Sequence, residues 1–313
     1  VSSALRLDAT APVLRPEQWR QAQSAHLQRV QDWTEPFRER RNRGLKHPVD
    51  DFLFTYYSFS PGKLERWTPG AGVVLLDGAA EFSGRKFWRT LEGDEAAALG
   101  IADDEGAVTL DLRAFLSARG SAVQFVDMLV RRTAGRPGVF GCFGLHEWAM
   151  AYRAAVHGVR HEQLPLRLGS EGTDAVVESH KLKCTHIDAF RFFAPEAAPR
   201  NELQPTRETQ RELEQPGCLH ATMDLYKWAY KLYPAVPSQL IADAFALAVE
   251  VRATDMEASP YDLSDWGYGV VAVETPQGKA EYVRRQKSFA ERARPIRERL
   301  LECTTALLSS GPQ

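Results

Sequence analysis

The sequence predicts an α+β protein, predominantly helical with a small antiparallel sheet. Long stretches repeat apolar residues at three- and four-residue steps, the period of a half-buried helix. Short β-branched or aromatic runs, bounded by turn residues, gather near 73–112 and 173–193 and read as strands. The 313 residues are 44% hydrophobic and 26% charged, which suits one large core and excludes a disordered chain. Residues 1–313 are therefore read as a single large domain. It divides into an N-terminal α+β part, 1–135, and a mostly helical part, 136–313, that carries the chemistry.

The first element is a long polar helix over 15–43, opened by Pro16 and stopped by Gly44. Its apolar stripe is Trp19, Ala22, His26, Val30 and Trp33, and Pro36 is expected to kink or split it. An aromatic segment follows at 52–59. Strands are expected at 73–76 and 86–90, with Gly78 and Gly84 in the turns, then a helix over 110–132. A second helix is expected over 140–157, ended by Gly158. Residues 173–179 and 181–190 read as an antiparallel pair joined near His180, and Pro195, Pro199 and Pro205 mark an extended crossing. Helices are then expected over 206–213, 218–232, 238–254 and 279–308.

A formal net charge of −2 supplies no global attraction for nucleic acid or an anionic membrane. A local basic patch is needed for nucleic acid, and Arg38, Arg40, Arg41, Arg43 and Lys46 supply a candidate. The four cysteines form no CxxC pair, which points to reduced thiols and a cytoplasmic location. No apolar run approaches the ~18 residues of a membrane span, so no membrane partner is expected.

The chemistry is expected between His146 and Asp224. Six of the eight histidines (146, 157, 161, 180, 186 and 220) fall there, against about two for an even spread. His146 and His157 lie close to three helical turns apart and so share a face, beside Glu147. His186-x-Asp188 on a strand points both side chains to one side of the sheet. His220, Asp224 and Lys227 form one helical stripe. Converging imidazoles and carboxylates suit zinc, iron or manganese. On that reading His146, His186, Asp188 and His220 are the metal ligands. Glu147 and Asp224 complete the set as further ligands or general base. Tyr56 and Tyr57, with the neighbouring aromatics, form a stacking wall for a planar ligand such as a nucleobase. Trp148, Arg191 and Lys227 are expected to bind the same substrate.

Four blocks carry a resemblance: His47-Pro-Val-Asp-Asp-Phe-Leu-Phe-Thr-Tyr-Tyr57, Phe140-Gly-Cys-Phe-Gly-Leu-His-Glu-Trp148, Cys184-Thr-His-Ile-Asp-Ala-Phe-Arg-Phe-Phe193, and Gln215-Pro-Gly-Cys-Leu-His220 running into Met223-Asp-Leu-Tyr-Lys-Trp228. Together they resemble a bacterial family that carries the label 3-methyladenine DNA glycosylase, over most of residues 19–297. The segment 232–238, a following helix and then Asp255 are also similar in layout to a helix-hairpin-helix glycosylase, although Pro237 has no N–H to give a phosphate. The resemblance implies a hydrolase that flips an alkylated base from DNA, with Asp255 stabilising the oxocarbenium sugar or activating water. A metal-dependent hydrolase or oxidoreductase on a small molecule, and a non-catalytic nucleotide-binding protein, are the alternatives.

Overall fold

Pro16 opens α1 (Pro16–Asn42) in the computed structural model, which describes residues 10–310. The Gln18 side chain caps it, accepting from the Arg15 N–H at 2.8 Å. Trp19, His26, Val30, Thr34 and Phe37 form its buried stripe. The helix runs through Pro36 unsplit. Flanking anchors hold the turn, since Thr34 and Arg38 both bond to Glu65 while Phe37 is buried. Packing outweighs the lost backbone bond. The aromatic segment forms the short α2 (Phe52–Tyr56).

The sheet contains β1 (Val13–Leu14), β2 (Val74–Leu75), β3 (Trp88–Thr90) and β4 (Val108–Leu110), in the order β1-β2-β4-β3. Its pairings are antiparallel except β1 with β2, so a parallel edge strand makes the sheet mixed. Trp19, Phe82 and Trp88 pack against Leu75, Val108 and Leu110 to bury one cluster.

The larger core is helical. It contains α3 (Leu112–Ala134), α4 (Leu145–Met150), α5 (Gly169–Ser179), α6 (Ile187–Phe190), α7 (Leu219–Lys231), α8 (Ser238–Glu257) and α9 (Pro276–Ser309). From Ala221 to Tyr230 every residue of α7 is buried, so this helix is surrounded by protein. Against it pack α8 and α9, and α3 lies along α9.

Two local expectations fail. The strand pair at 173–190 is instead α5 and α6: Thr173, Val176 and Val177 are buried at helical spacing, so their burial period overrides β-branched preference. The helix over 140–157 breaks after α4. There Arg153 adopts φ 58°, and its N–H donates to Asp174 at 2.7 Å. His157 therefore leaves the face of His146 and pairs with Glu196 on the surface at 2.8 Å.

The connection between α7 and α8 is also internal. Ala235 and Val236 are buried, the Ala71 N–H donates to Ala235 at 2.9 Å, and the Thr68 hydroxyl donates to Pro234 at 2.9 Å. Gly70, at φ 92°, fits because a Cβ there would stand 2.8 Å from Pro237. This hairpin presents no free backbone to a phosphate, so the glycosylase-like layout does not extend to a DNA grip. No helix among the described residues is long and apolar enough to cross a membrane.

Candidate functional site

Four segments deliver the site. Gly144, at φ 71°, turns the chain into α4 and faces Tyr282, where a Cβ would sit at 3.0 Å. The next residues, His146 and Glu147, enter the core. His220, Asp224 and Lys227 arrive on one stripe of α7, as their spacing predicts, and Arg252 and Asp255 on the last turns of α8. His186 and Asp188 come from the start of α6, a helical turn rather than a strand.

One buried network joins α4 to α8. His146 Nε2 and Asp255 Oδ1 share a proton at 2.7 Å, and Arg252 Nη1 donates to Asp255 Oδ2 at 3.0 Å and to Glu147 Oε1 at 3.2 Å. The guanidinium also lies 3.9 Å over the Phe52 ring. Burial alone would lower the His146 pKa, but the Asp255 charge and hydrogen bond push it well above the usual imidazole value. Burial and Asp255 raise the Glu147 carboxyl, against the pull of Arg252.

A second network lies across the cleft. Asp224 accepts from the Tyr57 hydroxyl at 2.9 Å and from the Lys227 ammonium; Lys227 also donates to Asp188 at 3.0 Å. Asp188 is further paired with Arg207 and with Arg191, the latter at 3.2 Å. His186 is 1% exposed, and neither ring nitrogen makes a hydrogen bond. Its Nε2 stands 3.4 Å from Asp224 and 3.6 Å from Glu214.

His220 stands between the networks, 4.5 Å from the His146 ring and 5.4 Å from the His186 ring by centroids. Burial and the neighbouring His146 charge push its pKa down to about 3, so the ring is a neutral imidazole. The ligand atoms of His146, His220 and Asp255 all lie within 4.8 Å of one another. His146, His220 and Asp255 are the residues that would hold a divalent ion there. His186 and Asp188, also expected as ligands, lie outside this group. Those two belong to the Lys227 network.

A narrow cleft of ≈ 20 Å³, room for about one water, meets His220. Its walls include Phe52 and Tyr56, stacked at 5.0 Å and 9°, together with Tyr57, Glu147, Asp188, Asp224 and His186. His161 also lines it, with burial and Arg252 lowering its pKa to about 4. His220 also lines a smaller void of ≈ 10 Å³, bordered by His146 and by Cys142, Cys184 and Cys218. Burial raises the Cys184 and Cys218 thiols, so they stay protonated.

Several expected residues lie elsewhere. Trp148 is fully buried and donates its indole N–H to Ala258 at 2.8 Å, a core role away from the cleft. Lys227 is enclosed between Asp188 and Asp224, and Arg191 is an exposed side chain 3.4 Å from the Tyr56 hydroxyl. Asp255 lines neither cavity. In the basic run Arg38 is neutralised by Glu65 and Arg40 by Asp51. Arg252 and Glu214 went unread; the Arg252-x-x-Asp255 spacing in an otherwise small-residue helix was the available signal for the former. Comparisons with protein-family models, with curated proteins and with solved structures each return no match.

Proposed function

We propose that this chain is a metal-dependent hydrolase acting on a small molecule that carries a planar, nucleobase-like ring. The observation that supports it is the convergence of two imidazoles and a carboxylate, His146, His220 and Asp255, beside an aromatic cleft. The donor set fits zinc, iron or manganese: borderline nitrogen ligands, one hard oxygen, and three thiols nearby. Arg252 fixes the second oxygen of Asp255, the outer support that ligating carboxylates need. A divalent ion held there supplies Lewis acidity and water of lowered pKa.

This chain's own groups do the remaining work. Tyr56, backed by Phe52, stacks on the ring of the substrate as the narrow cleft opens to admit it. Glu147, steered by Arg252, takes the proton from the attacking water. His186 offers its unpartnered ring nitrogens to a heteroatom of the substrate and gives a proton to the leaving group; Asp224 and Glu214 hold it in place. Elemental analysis of protein purified without chelators tests the reading. Near-stoichiometric metal, lost in both His146→Ala and His220→Ala, is expected.

A second reading is the metal-free N-glycosidic hydrolysis that the family resemblance implies. The stacked Phe52–Tyr56 pair beside Asp188 and Asp224 favours it. Metal-free protein that releases free base from alkylated DNA would establish this reading in place of the first.

A further inference from the structure

A second, larger concavity of ≈ 760 Å³ shares no lining residue with the cleft. It lies between the 58–66 segment, the turn before β3, α3 and the end of α7. Six cations line it: Lys63, Arg66, Arg85, Lys86, Arg119 and Lys231. No acidic side chain does. Of the six, only Arg85 has an ion-pair partner among the described residues, Glu81 at 2.8 Å. In a chain of net charge −2, five uncompensated cations around one groove are a strong local concentration of positive potential.

The rings of the groove narrow the ligand. Of its aromatic lining, Phe59, Trp88 and Tyr230 are buried, leaving Phe87 and Tyr233 part-exposed, with the Lys86 ammonium 4.8 Å from the Phe87 ring centroid. Phe87 holds φ 69°, a conformation that a bulky side chain rarely adopts and that recurs at ligand clamps. A nucleic-acid strand brings roughly one phosphate charge for each base to be stacked. Here five free cations accompany stacking room for about one base. We infer that this groove binds a nucleoside polyphosphate, with the cations on the phosphate chain and Phe87 and Tyr233 against the base.

Calorimetric titration with ATP, tripolyphosphate and oligo(dT) tests this, in chelator-containing buffer so that the His146 group contributes nothing. Saturable ATP binding is expected, tighter than either competitor. Arg66→Ala and Arg119→Ala, both at exposed positions, should each weaken it roughly tenfold, the worth of one charge-assisted hydrogen bond. Arg294→Ala, outside the groove, should leave it unchanged. The inference is overturned by absence of ATP binding, by tripolyphosphate binding as tightly as ATP, by preference for oligo(dT), or by unaltered affinity in variants whose melting shows them folded.

Discussion

The imidazoles of His186 and His220 stack at 5.4 Å with 26° between their planes, so two segments 34 residues apart build one wall of the cleft. Only one of the pair belongs to the converging group. His186→Ala should therefore keep its metal and lose turnover, by roughly 10²–10⁴-fold for a proton-transfer residue. Metal analysis alongside kcat distinguishes the roles. Metal loss in this variant would make His186 a ligand.

His146→Ala removes one partner from a fully buried pair and leaves Asp255 to Arg252 alone. We expect a loss of about 3 kcal/mol in urea unfolding, the low end for breaking a buried pair because Arg252 still compensates Asp255. The double variant His146→Ala/Asp255→Asn should recover part of it. Equal stability of the single variant and the parent would show that the pair contributes nothing.

Stability should form a plateau across neutral pH, bounded by the Asp224–Lys227 pair. Burial disfavours both charges, but Lys227 and His186 hold Asp224 below the usual carboxylate range, and Asp224 and Asp188 hold Lys227 above the usual amine range. With its folded pKa depressed, Asp224 contributes fully above about pH 4 and loses that contribution as pH falls further. With its folded pKa raised, Lys227 contributes fully below about pH 10 and loses it as pH rises further. Asp224→Asn should flatten the acid side of a melting-temperature profile. An unchanged acid side would refute the assignment.

Trp148→Phe tests a structural role. A smaller aromatic ring remains and the hydrogen bond to Ala258 is lost, so stability should fall by about 1–3 kcal/mol for the unsatisfied buried carbonyl and further for the cavity left by the indole. KM should not move. A raised KM would return Trp148 to the substrate site.

The long helices were legible because their boundaries are written locally: Pro16 opens α1, and Pro237 stands immediately before α8. The break after α4 was not, since the carboxylate that stabilises Arg153 belongs to Asp174 in another element. Val176-Val177 read as strand because β-branched side chains advertise a sheet that packing here overrules. The histidine cluster pointed to the region where His146, His186 and His220 come together, but the partner of His146 lies 109 residues away, a distance that no local pattern spans. The basic groove shows the converse. Arg38 and Arg40 of the basic run meet carboxylates in space, whereas five of the groove's six cations, drawn from separate segments, have no ion-pair partner among the described residues.

His220 faces the aromatic cleft and the thiol-lined cavity at once. Both voids are about the size of a single water, so the imidazole itself occupies most of the space there. Shortening this one side chain would leave a vacancy of imidazole size touching the aromatics and the thiols together, which free imidazole added to the solution could refill.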